Sequence, residues 1–183
     1  MRHTLECHPD SRCLAAIRID VEADRRGSVL SLHFRLIGDN SGLLIPDPET
    51  PAFRGGLWKH SCFEAFIRPD QGDGYFELNL SPSGEWAAYA FDNYRDGMQS
   101  VDPLPALAIS VARSDSLIEL EAQMELNVVK ALPADRSWRL GLSAVVEDVH
   151  GNKSYWALAH PQGAPDFHHR DCFALELPAP GGA

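Results

Sequence analysis

The feature that most constrains this chain is a two-residue hydrophobic rhythm that keeps restarting. Ala15, Ile17, Ile19 and Val21 fall on one face while Arg18, Asp20 and Glu22 fall on the other, the pattern of a half-buried strand, in which successive side chains point to opposite sides. The same rhythm returns at Leu30, Leu32, Phe34 and Leu36, at Phe63, Ala65 and Ile67, and at Phe76, Leu78 and Leu80. It runs again through Ile118, Leu120, Ala122 and Met124, then through Trp138, Leu140, Leu142, Ala144 and Val146. Clusters of glycine, proline and aspartate separate the runs, as chain reversals require. The segments 14–22, 28–37, 62–68, 75–81, 85–91, 107–113, 116–124, 138–147, 154–159 and 172–177 therefore predict about ten strands, enough for two packed antiparallel sheets. The expected fold is all-β: an antiparallel, jelly-roll-like β-sandwich with at most one short helix.

That helix is placed at Leu126 to Leu132, where Pro133 ends it. Its brevity disfavours parallel α/β folds. Residues 38–56, rich in Gly, Pro and Asp, form the longest irregular stretch and either cover a binding surface or lie in solvent. Residues 178–183 read as a frayed tail. At 183 residues the expectation is one domain spanning 1–183, since the chain is long enough for one core and no linker divides it.

Charge and cysteine usage narrow the function. A formal charge of -10, without clustered Lys and Arg, argues against a nucleic-acid partner, whose phosphates need such clusters. The apolar runs fall short of the roughly 20 residues of a membrane helix, so no membrane partner is expected. Met1 to Glu6 lacks the apolar core of a signal peptide, and a cytoplasmic location is the expectation. Cys7, Cys13, Cys62 and Cys172 are scattered without a Cys-x-x-Cys pair, which leaves no zinc ribbon or thioredoxin motif and predicts reduced thiols. Nothing in the sequence sets an oligomeric state.

The informative stretch is Leu57 to Arg95. In Cys62 to Ile67 alternation sends Glu64 away from the core, and in Tyr75 to Ser81 it gathers Tyr75, Glu77, Asn79 and Ser81 into one polar row. The turn-rich residues 68–74 join the two runs, so the strands pair antiparallel, with Glu64 near or opposite Glu77. Two carboxylates at that range require a cation, a hydrogen-bond donor or protonation to relieve them. Lys59, His60 and Arg95 are the candidate compensators. Trp58, Trp86, Tyr89, Tyr94 and Trp156 lie in or near the region, and aromatic faces beside carboxylates and amides suit a sugar, apolar on its faces and polar at its rim. The turn at Ser81 to Gly84 leaves open whether Trp86 or Tyr89 shares the Asn79 side, because a slip of one residue inverts the faces.

A second concentration comes late. Tyr155 to Ala159 leads through His160 into a loop carrying Asp166, His168, His169 and Arg170. His160 and His168 could converge, but no recognised zinc spacing such as His-Glu-x-x-His is present. Loop-fixing or ligand hydrogen bonds are the simpler expectation.

Three segments, Leu57-Trp58-Lys59-His60-Ser61-Cys62-Phe63-Glu64-Ala65-Phe66, Tyr75-Phe76-Glu77-Leu78-Asn79-Leu80-Ser81-Pro82-Ser83-Gly84-Glu85-Trp86 and Tyr155-Trp156-Ala157-Leu158-Ala159-His160-Pro161, give the chain a resemblance to the DOMON-like superfamily, which includes family-nine carbohydrate-binding modules and haem-binding DOMON domains. The resemblance implies a sandwich without catalysis of its own that holds a ligand against one sheet. Lys59, His60 and Ser61 stand where many family-nine modules carry acidic residues. The expected function is thus a non-catalytic binding domain for a small carbohydrate or sugar-like ligand, without a cofactor. Its expected ligand-binding residues are Trp58, Lys59, His60, Glu64, Tyr75, Glu77, Asn79, Trp86, Tyr94, Arg95, Trp156, His160 and His168. Three alternatives accompany it: haem held by Met98 with His160 or His168, a protein-docking surface, and a glycoside hydrolase using Glu64 and Glu77 as acid and base.

Overall fold

The computed structural model describes residues 1–12, 17–104, 107–127, 129 and 132–179. Ten-residue runs of alternating apolar side chains become the two longest strands of the first sheet, β3 (Ile17–Arg26) and β4 (Val29–Gly38), joined by a two-residue turn at Gly27-Ser28. Gly27 has φ +64, the left-handed conformation that lets a tight turn follow the strand twist. With β1 (Arg2–Thr4), β9 (Ala108–Ser114) and β10 (Leu117–Glu125) they form a five-stranded antiparallel sheet in the order β1-β3-β4-β10-β9.

The second sheet has eight strands. They are β2 (Glu6–Cys7), β5 (Cys62–Pro69), β6 (Tyr75–Leu80), β7 (Trp86–Phe91), β8 (Gln99–Ser100), β11 (Trp138–Glu147), β12 (Lys153–Ala157) and β13 (Leu175–Leu177). Their order is β2-β12-β11-β5-β6-β7-β8, with β13 pairing the far end of β11. The expected all-β antiparallel sandwich is what the chain forms. Leu30, Leu32, Phe34 and Leu36 of one sheet face Phe63, Ala65, Ile67, Phe76, Leu78 and Leu80 of the other across a continuous buried core. The Phe34 and Phe63 rings stack between the sheets at 4.9 Å.

Three strands went unread in the sequence: β1, β2 and β8 are two or three residues long, too short to show a period. The first two are consecutive yet belong to opposite sheets, so the N-terminal segment ties the edges of the sandwich together. The expected helix at 126–132 is not seen at its described residues. Leu126, Asn127, Val129 and Leu132 are non-helical, and the Val129 and Leu132 amides donate to carbonyls three residues back. Residues 128, 130 and 131, like 14–16 of the expected first strand and 180–183 of the tail, lie outside the described residues.

One expectation about the thiols is corrected. Cys62 and Cys172 are free and buried, but Cys7 is disulfide-bonded. No Cys-x-x-Cys or other local motif marks that bond, so a spacing rule does not find it. Residues 38–56 resolve their own ambiguity: they strap the sandwich, with Leu44 N–H donating to the Glu147 carbonyl, Glu49 N–H to Ser83, and Arg54 N–H to Trp86.

Candidate functional site

The outer face of the eight-stranded sheet is not a solvated face. Every residue of β6 is buried, as is nearly all of β5, because the outward set is itself largely apolar: Cys62, Phe66, Tyr75, Tyr89, Phe91 and Val145 gather with Leu57, Phe167 and Phe173 into a second cluster. A strand apolar on both faces needs cover on both. The cover comes from the short 3-10 turns Leu57–Lys59 and Arg170–Cys172 and the loops around them. Gly141 permits it, since a Cβ there would stand 3.0 Å from the Cys172 carbonyl oxygen.

Between these covers lies a cleft of about 460 Å³ lined by Trp58, Tyr89, Met98, Tyr155, Phe167 and His168 among others, a size ordinary for small-molecule sites. Its floor is a hydrogen-bonding row set by strand register. Glu64 lies between Ser143 of β11 and Asn79 of β6, and Glu77 lies between Phe66 and Tyr89. The cross-strand partner of Glu64 is therefore Asn79, and Glu77 is its diagonal neighbour, one step from the directly opposed arrangement the sequence also allowed. Asn79 Nδ2 donates to Glu77 Oε1 at 2.7 Å, and Ser143 Oγ donates to Glu64 Oε2 at 3.3 Å.

Burial first, and then Glu77, push the Glu64 carboxyl well above the usual carboxylate range. Burial raises Glu77 as well, against the Asn79 amide and Arg95, which pull it down. His168 forms the wall above Glu77, its Nε2 3.9 Å from Glu77 Oε2. The Tyr75 hydroxyl accepts from the Arg95 amide at 3.2 Å, leaving its proton for His168 Nδ1 at 2.7 Å. That bond puts the ring proton on Nε2, facing the carboxylate. Burial, followed by Arg95, lowers His168 to about 4, so at neutral pH the ring is an uncharged donor. Asp166 fastens this wall: it accepts from the Tyr94 hydroxyl at 2.5 Å, from Arg95 at 2.7 Å and from the His168 amide at 3.1 Å. Burial would raise the Asp166 carboxyl, but the bonds from Tyr94 and Arg95 outweigh it and hold it below the ordinary range.

The structure thus gathers Trp58, Glu64, Glu77, Arg95 and His168 at the cleft, with Asn79 beneath as a fully buried floor residue and Tyr75 behind the wall. Tyr94 stands at the rim through its bond to Asp166. The other expected residues lie elsewhere. Trp86 pairs with Leu80, on the parity of the core, and packs edge-on against Phe53 at 5.5 Å; Tyr89 takes the cleft side. Trp156 is opposite Ala144 on the inner face, its Nε1 donating to Ser154 Oγ. His60 is drawn to Glu147 at 2.7 Å, and Lys59 lines a separate depression with Arg54 and Glu85. His160 sits edge-on to His8 and bonds the Glu6 carbonyl oxygen, so it does not converge with His168. Among the described residues no group of three or more His, Cys, Asp or Glu is placed to hold a metal ion.

Phe66, Ser143, Val145, Tyr155 and Phe167 were not picked out as site residues. For Phe66 a signal existed, an aromatic residue on the outward parity of β5 that needed cover. Ser143 and Val145 belong to a strand whose neighbours are far away in sequence.

No protein-family model matches the chain, and no curated protein matches it by sequence. Solved structures do share its fold. A Bacteroides uniformis protein provisionally described as carbohydrate-binding superposes with a TM-score of 0.68 at 13% identity, over 94% of this chain and 83% of that one. A family 9 carbohydrate-binding module from Caldicellulosiruptor kristjanssonii, in complex with glucose, gives a TM-score of 0.57 at 9% identity, over 98% and 86% of the two chains. A family 9 module of the same organism with cellotriose gives 0.52 at 8% identity, over 87% and 74%. The chain therefore has the sandwich fold of these modules.

Proposed function

We propose that this protein is a non-catalytic binding domain for a small carbohydrate, held in the cleft on the outer face of the eight-stranded sheet. The observation that carries the reading is the layering of the cleft: a polar floor of Glu64, Asn79 and Glu77 beneath the Trp58 and Tyr89 rings, which meet edge to face at 5.8 Å. Trp58 is 39% exposed, so its indole is free to take a sugar's C–H face while the floor takes hydroxyls. The similarity in fold to modules solved with glucose and cellotriose supports the same reading.

Catalysis fits the geometry less well. A glycosidase needs an ionised carboxylate beside a protonated one, whereas burial raises both Glu64 and Glu77. A depression of about 500 Å³ on the five-stranded sheet, lined by Glu22, His33 and Glu121 among others, is larger but has no aromatic ring besides His33 among the described residues that line it.

Calorimetric titration with glucose and short gluco-oligosaccharides tests the proposal. Saturable binding is expected, weakened at least about tenfold by Trp58→Ala and by Glu77→Ala and unchanged by Glu121→Ala. Binding indifferent to both cleft substitutions, or none across a wider glycan panel, would refute it.

A further inference from the structure

The cleft floor holds two carboxyl groups that no neighbouring side chain among the described residues neutralises. Glu64 and Glu77 are 2% and 5% exposed, yet no Lys or Arg lies within ion-pair distance of either among the described residues. Arg95 lines the cleft but closes its ion pair with Asp166 at 2.7 Å. Lys59 and His60 face other parts of the surface. The remaining ionisable neighbours are Cys62 on β5, Tyr75 on β6, Tyr89 on β7, Tyr155 on β12 and His168 on the late loop, while β11 contributes only Ser143 and Val145. His168 meets Glu77 at 3.9 Å but stays uncharged near neutral pH, with Nδ1 already bonded to Tyr75.

A buried carboxylate pair without a cation is relieved either by taking up a proton or by receiving a positive charge from outside. The walls favour an organic cation. Trp58, Phe66, Tyr89, Phe91, Tyr155 and Phe167 all line the cleft, and aromatic faces attract ammonium groups. A metal ion would want further oxygen or nitrogen ligands, and no such group forms here among the described residues.

Building on the carbohydrate reading, we infer that the cleft selects an ammonium-bearing monosaccharide, its amine over Glu64 and Glu77 and its ring against Trp58 and Tyr89. The floor then exchanges a proton for the ligand's charge. Binding releases that proton, so affinity rises with pH as long as the amine itself stays protonated.

Glucosamine, N-acetylglucosamine and glucose, titrated against the protein at about pH 6, where an aliphatic amine is charged, separate the possibilities. Glucosamine is expected to bind at least about tenfold tighter than either neutral sugar. In Glu64→Gln, its fold checked by near-ultraviolet circular dichroism, the ratio of glucosamine to glucose affinity should fall towards one. Equal affinity for glucosamine and glucose overturns the cation inference and leaves the carbohydrate reading standing. If none of the three binds, both fall. A preference undiminished in Glu64→Gln, or competition by calcium ions alone, also overturns it.

Discussion

Glu64 shows how one residue's surroundings set its chemistry. Alternation placed it on the outward face, and an outward carboxylate is ordinarily solvated; here the outward face is covered, and the side chain is 2% exposed. Because the folded chain holds the Glu64 proton more tightly than the unfolded chain does, the unfolded state loses its proton first as pH rises. Stability therefore falls between the ordinary carboxylate value and the raised one. Glu64→Gln removes that penalty. At about pH 8 the variant should be more stable than the parent by at least roughly 1 kcal/mol, and the advantage should vanish towards about pH 4, where both side chains are uncharged. Urea denaturation across that range reads the difference, and His168 cancels because both proteins carry it. A variant less stable than the parent at alkaline pH would show that Glu64 is ionised and well served where it sits.

Among the elements, the strands were legible and the covers were not. Runs such as Leu30 to Leu36 carry their own period, so β4 and its partners followed from sequence. What the outer face of β5 meets depends on a loop about a hundred residues later, and no local pattern encodes that approach. The late loop was readable only as a concentration of polar groups. Asp166 converts it into a wall by tying Tyr94, Arg95 and the His168 amide together, and Arg95 is held at φ 54, a left-handed conformation that side chains other than glycine rarely adopt. Removing the tie with Asp166→Ala should destabilise the protein by about 1–3 kcal/mol, the range for charged hydrogen bonds. Hydrogen exchange should quicken in residues 163–170 while the β5 and β6 amides keep their protection. Uniform loss of protection would mean that the wall and the sheet unfold as one unit.

At the scale of the molecule, the two sheets have opposite outer faces. The five-stranded sheet alternates in the ordinary way, with Glu22, Arg35 and Glu119 outward in ion pairs and hydrogen bonds. The eight-stranded sheet has apolar residues on both sides, and its outer cover leaves a cleft open over Glu64 and Glu77. The polar row itself was legible from alternation. The parity at Trp86 was not, because the Ser81 to Glu85 turn hides it: the chain reverses there through Gly84 at φ +94, and only the observed register, Leu80 opposite Trp86, sends that ring inward and Tyr89 outward. Trp156 misled for the same reason, since an aromatic residue near a polar row is on its face only if the register agrees.

Whether ligand binds in this cleft is read from backbone and indole ¹H–¹⁵N shifts recorded during a titration with glucosamine or glucose. The largest changes should gather at the Trp58 indole and at the amides of Glu77, Tyr89, Arg95 and His168. Changes centred instead on Glu22, His33 and Glu121 of the five-stranded sheet would contradict binding in the cleft.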